Sequence, residues 1–124
     1  MRHVPRVLIV DDNAGMLETM ADIIEADGFD VDVAPDGRTA LARMTDNRYD
    51  IAVFDIVLPD INGIELVRQT RPEHPETKYV IITAYTNTDH VERVRSEPVV
   101  EILYKPVDPA RLLETLRELT APMD

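Results

Sequence analysis

Two adjacent acids, Asp11 and Asp12, stand immediately after the apolar run Val7-Leu8-Ile9-Val10, and a third, Asp55, ends the run Ile51-Ala52-Val53-Phe54. Thr83 follows Tyr79-Val80-Ile81-Ile82, and Lys105, itself followed by Pro106, closes the stretch from Val100 to Tyr104. Carboxylates brought to one rim repel each other, and desolvation adds to that penalty. A hard divalent cation among them lets them stay ionised, and oxygen ligands with retained waters suit Mg²⁺. A metal held by so few carboxylates shares its shell with a phosphoryl oxygen. Lys105 supplies a compact positive charge and Thr83 a hydroxyl donor for the equatorial oxygens of a phosphoryl group in transfer. One of the acids is then the nucleophile, because carboxylates form aspartyl-phosphates. Asp55, alone at its strand end, fits that role better than the pair Asp11-Asp12, which suits cation binding.

Each of these residues also has an ordinary explanation. An Asp at a strand end often caps a helix, and a lone Thr or a Lys before Pro is a weak signal. What changes the reading is the set, since no single structural need puts all five at the ends of apolar runs. Asp36 reads as a helix cap only. His3, His74 and His90 share no spacing and read as surface residues, while Met16, Met20 and Met44 read as core filler.

The elements that must position the set are legible. Val7 to Val10, Ile51 to Phe54, Tyr79 to Ile82 and the stretch from Val100 to Tyr104 are strand-length apolar runs, and the first is continuous enough to be buried on both faces. Asp30-Val31-Asp32-Val33-Ala34 alternates, the signature of a sheet edge. Helical spacing fills the gaps. Asn13 caps a helix with the stripe Leu17, Met20, Ala21 and Ile24, stopped by Gly28. Asp36-Gly37 opens a second with Ala40, Leu41 and Met44. Ile64 and Val67 mark a third that ends before Pro72, and a fourth from about Thr88 carries Val91 and Val94 and stops before Pro98. Asp108-Pro109 starts the last, with Leu112, Leu113, Leu116 and Leu119 as its stripe. Strictly alternating strands and helices call for an α/β parallel sheet with helices on both faces, and ligands then bind beyond the carboxyl ends of the strands.

At 124 residues the chain fits one domain, 1–124, with the final residues Thr120 to Asp124 reading as a frayed end. It carries 24 Asp+Glu against 13 Lys+Arg, a formal charge of −11, which argues against direct contact with nucleic acid or an anionic membrane. The absence of cysteine excludes disulfides and thiolate chemistry. With no signal peptide and no membrane-length apolar segment, the expected location is cytoplasmic.

Val10-Asp11-Asp12-Asn13, Asp55-Ile56-Val57-Leu58-Pro59-Asp60-Ile61-Asn62-Gly63, Ile82-Thr83-Ala84 and Lys105-Pro106, in that order at successive strand ends, resemble the receiver domain of bacterial two-component response regulators. The resemblance runs from Val7 to about Leu119. It implies a flavodoxin-like, doubly wound five-stranded parallel sheet in the order 2-1-3-4-5. It implies that Asp55 accepts a phosphoryl group from a histidine kinase or histidine phosphotransfer protein. It further implies Mg²⁺ bound by Asp12, Asp55 and the backbone carbonyl of Val57, with Asp11 acting through water. Lys105 would pair with the phosphoryl oxygens, and Thr83 would move to hydrogen-bond one of them. The added charge would then bias the surface formed by the fourth helix, fifth strand and fifth helix toward a downstream protein target or output domain.

Two positions depart from the usual pattern. The aromatic residue the family usually carries three positions before the Lys is Ile102 here, and Tyr104, on the same strand face, is the nearest aromatic. Val57 and Tyr85, two residues after Asp55 and Thr83, are poor groups for positioning water, so slow phosphoryl loss is expected. The alternatives are weaker. A Mg²⁺-dependent phosphohydrolase commonly has an acid where Val57 stands. A flavin or nucleotide binder needs a phosphate cradle where Asp11-Asp12 would repel one. A phosphorylation-independent interaction module on a receiver scaffold leaves the acidic set without a purpose.

Overall fold

A computed structural model of the chain describes residues 3–84 and 88–121, apart from the side chains of Thr88 and His90. The strands are β1 (Arg6–Val10), β2 (Asp30–Ala34), β3 (Ile51–Asp55), β4 (Lys78–Thr83) and β5 (Val99–Tyr104). All pair in parallel, in the spatial order β2-β1-β3-β4-β5, so the two outermost are the alternating β2 and the late strand β5. The crossovers are α1 (Ala14–Ala26), α2 (Gly37–Asp46), α3 (Gly63–Thr70) and α4 (Thr88–Arg95), and α5 (Pro109–Thr120) closes the chain.

The caps explain where the helices begin. Asn13, Asp36, Asn62 and Asp108 each accept a backbone N–H of the first turn of the helix that follows, satisfying donors that would otherwise be orphaned. After α1 the chain turns through Gly28 at φ 99°, a conformation that side-chain-bearing residues rarely adopt.

The central strands are apolar throughout because each is covered on both sides. One layer joins Val7, Ile9, Val53, Val80, Ile82 and Leu103 to α1 and α5 through Leu17, Met20, Ile24, Leu112 and Leu116. The other joins Leu8, Val10, Phe54, Tyr79, Ile81 and Ile102 to α2, α3 and α4 through Ala40, Met44, Leu66, Val67 and Val94. Between β4 and β5 the register slips by one residue, so that Val100 has no partner while Glu101 pairs with Val80. The alternation did not reveal this irregularity. Thr120, expected to fray, is the last residue of α5.

The histidines require a correction. His3 lies at the surface beside Asp50, but His74 is 9% exposed and its Nδ1 has no hydrogen-bond partner. It follows a 3-10 turn, Arg71–Glu73, that extends α3 through Pro72 and folds the loop inward, with His74 N–H donating to the Arg71 carbonyl. The side chain of His90 lies outside the described residues.

Candidate acidic site at the strand ends

The parallel topology carries the ends of β1, β3, β4 and β5 to one rim, and with them the five residues singled out above. Asp11 is fully buried, Asp55 is 3% exposed, and Asp12 faces solvent. Each of the three acids offers a carboxylate oxygen, and these oxygens all lie within 4.8 Å of one another.

Lys105 reaches across them. Its Nζ donates to Asp55 Oδ2 at 2.7 Å and lies 3.2 Å from Asp11 Oδ2. Burial works against the ammonium charge, yet the hydrogen bond to Asp55 and attraction from both Asp55 and Asp11 outweigh it and hold the Lys105 pKa above its ordinary value. The lysine is therefore a fixed cation. Even so, the contact to Asp11 falls outside hydrogen-bond geometry, and Asp11 Oδ2 is a buried oxygen without a hydrogen-bond partner. Its other oxygen accepts from Asn13 N at 2.8 Å.

Backbone groups fix the remainder. Val57 N donates to Asp55 Oδ1 at 3.1 Å, turning the chain immediately after the acid, and Gly63 N donates to the Ile56 carbonyl at 2.8 Å. Gly63 passes so close beneath β3 that a Cβ there would sit 2.3 Å from the Asp55 carbonyl oxygen. Any side chain at this position would displace the strand end that carries Asp55. Thr83 is 1% exposed, and its carbonyl accepts from Lys105 N at 2.9 Å, which ties the lysine to the end of β4. Tyr85 lies outside the described residues.

Three hard carboxylates, one with an unbonded buried oxygen, are a donor set that fits a divalent cation such as Mg²⁺. A single lysine charge cannot neutralise all of them. The site thus sets three carboxylates around the Lys105 ammonium, with Thr83 at the end of the adjacent strand β4. Two residues beyond Asp55, where phosphohydrolases that pass through an aspartyl-phosphate commonly carry an acid, the structure has the exposed side chain of Val57.

A profile of the response regulator receiver domain matches residues 7–117. The chain belongs to that family. Receiver domains are regulatory phosphoacceptor units of two-component signalling, and they bind Mg²⁺ at an acidic pocket. Among the relatives is a response regulator receiver protein of Anaeromyxobacter sp. (strain Fw109-5), 37% identical over 109 residues that make up 88% of this chain and 46% of that protein. The chemotaxis protein CheY of Thermotoga maritima is 31% identical over 93% of this chain and 97% of its own length. The receiver chain thus spans about half the length of the Anaeromyxobacter relative and of response regulator ArlR of Staphylococcus saprophyticus, at 46% and 51%, but nearly all of CheY. Among solved structures, a CheY-like receiver domain from Methanospirillum hungatei JF-1 superposes with a TM-score of 0.87, at 31% identity and covering 94% of this chain and 93% of that one. The flavodoxin-like receiver fold read from the sequence is therefore the one observed. Among the described residues no helix is long and apolar enough to cross a membrane.

Proposed function

We propose that the chain is a single receiver unit that takes a phosphoryl group onto Asp55 from a phosphohistidine on a histidine kinase or histidine phosphotransfer protein. In this reading an Asp55 carboxylate oxygen attacks phosphorus. The O–P bond forms as the P–N bond to the donor imidazole breaks, and the released imidazole keeps the electron pair and takes up a proton. Asp12, Asp55 and the Val57 carbonyl would hold Mg²⁺, with Asp11 acting through water. When bound, the ion offsets the charge of the carboxylates and of the incoming phosphoryl oxygens. Lys105, already hydrogen-bonded to Asp55, transfers its contact to a phosphoryl oxygen, and the Thr83 hydroxyl donates to another.

The observation that carries this reading is the burial of two carboxylates, Asp11 and Asp55, on one lysine, with a third acid in reach. That arrangement is expensive for an apo scaffold. It gives the rival reading, an interaction module that never meets a phosphoryl group, nothing to explain. The acquired charge, about −1.5 to −2, would be read by a protein target or a separate output domain at the surface of α4, β5 and α5. Incubation with acetyl phosphate and Mg²⁺, followed by intact-mass and peptide mass spectrometry, tests the proposal. A phosphoryl adduct on Asp55 that is missing from Asp55→Asn is the expected result. An adduct on another side chain, or none on folded protein, would overturn it.

A further inference from the structure

The loop from Ile56 to Asn62 carries the Val57 carbonyl. Its own bonds close it only upon itself and the sheet: Ile56 N donates to the Ile82 carbonyl at 3.0 Å, Gly63 N to Ile56, and Val57 bridges Asn62. Among the described residues, one side chain hydrogen-bonds the loop tip to another element. Asp60, exposed and following Pro59, accepts Gly37 N at 2.8 Å through Oδ1 and Arg38 N at 2.9 Å through Oδ2. Its carboxylate therefore spans two of the orphan donors in the first turn of α2, where the helix dipole also favours a negative charge. Gly37 lies against the neighbouring loop residue, and a Cβ there would meet Ile61 Cγ2 at 2.2 Å.

The same helix start is tied to the opposite wall of the acidic site. Asp11 N donates to the carbonyl of Ala34 at 3.1 Å, two residues before Asp36, the N-cap of α2. A closed path thus runs from Asp11 through Ala34 and the first residue of α2 to Asp60, and along the loop to Val57 and Asp55. Among the described residues, Asp60 makes the side-chain hydrogen bonds that join these elements, beside the packing of Ile61 on Gly37.

We infer that Asp60 is a positioning residue for the divalent-cation site: by clamping the β3–α3 loop to the start of α2 it fixes the Val57 carbonyl relative to Asp11 and Asp12. The inference rests on the proposed Mg²⁺ reading of the site. Asp36 provides the control, because its carboxylate caps the same helix from within, accepting Thr39 N at 2.7 Å, whereas the Asp60 carboxylate reaches the helix from the loop.

Mg²⁺ titrations of the parent, Asp60→Ala and Asp36→Ala, by calorimetry on the unphosphorylated protein, separate the two roles, with urea unfolding run in parallel. Asp60→Ala is expected to weaken Mg²⁺ binding by about tenfold, as outer-sphere losses do. Asp36→Ala should lower the urea midpoint while leaving Mg²⁺ affinity at the parental value. In the acetyl phosphate reaction Asp60→Ala should need about tenfold more Mg²⁺ for half-maximal rate, with the maximal rate retained. Parental affinity in Asp60→Ala, or equal losses in both variants, would overturn the inference and leave the site reading intact. Failure of the folded parent to bind Mg²⁺ would overturn both.

Discussion

Tyr104 stands directly across from Thr83 in the parallel register of β4 and β5. Both belong to the sheet face that carries Ile81 and Ile102 two pairs earlier. Ile102, at the position where receivers usually carry an aromatic residue, is 7% exposed and packed in the core, whereas Tyr104 is 40% exposed. The aromatic group across from Thr83 is therefore two residues nearer to Lys105 than in the usual pattern. On adding beryllofluoride with Mg²⁺, the Tyr104 ring resonances should shift strongly and the Ile102 methyl resonances weakly. Inward movement of Ile102 beside Thr83, with Tyr104 unchanged, would refute this assignment.

Removing Lys105 leaves two buried carboxylates facing each other without a cation. Lys105→Ala should lower stability by about 2 kcal/mol, less than the loss for a wholly buried pair because the lysine side chain keeps 29% exposure. Millimolar Mg²⁺ should recover part of that loss. Urea midpoints with and without Mg²⁺ provide the check, and an identical deficit in both conditions would argue against shared electrostatics at the rim.

Val57 projects an apolar side chain into solvent at the mouth of the site, 54% exposed, while its N–H is engaged by Asp55. Nothing on that side chain can orient an attacking water. Val57→Asn should speed loss of the phosphoryl group about tenfold, equivalent to about 1.4 kcal/mol off the barrier. Phosphate release after acetyl phosphate is removed measures it, and an unchanged lifetime would count against the water-positioning argument.

Far from the rim, Arg117 of α5 donates to Asp27 at the end of α1, with Nε at 2.9 Å from Oδ2, and holds the Asp27 carboxyl below the usual range. A lowered folded-state pKa means that the pair stabilises fully above the unfolded value of about 3.9. That contribution is lost as pH falls through the lower folded value. The gap in urea midpoint between parent and Asp27→Asn should therefore close on acidification, and salt should narrow it at neutral pH because both groups are solvated. A gap indifferent to pH would show that the pair contributes through packing alone.

The rim residues could be read because each follows a strand whose apolar run ends abruptly, and a parallel sheet forces such ends together. Caps such as Asn13, Asp36 and Asp108 announce themselves through short polar side chains before helical spacing. Asp60 could not be read in this way. It looks like any turn residue after a proline, and its partners Gly37 and Arg38 lie 23 and 22 positions back in the chain. His74 was misjudged because burial behind a 3-10 turn leaves no periodic trace. The slip in β5 was hidden because Val99 and Val100 are identical, so alternation cannot say which of them is supernumerary.

That surplus valine sets the phase of an entire edge strand. Were β5 to pair without the slip, with Val100 taken into the ladder, Glu101 would fall opposite Ile81 and thrust a carboxylate into the apolar layer, and Leu103 instead of Tyr104 would abut Thr83. A one-residue change of register at this spot would recast the face offered to a partner, although every acid, the threonine and the lysine kept their identities.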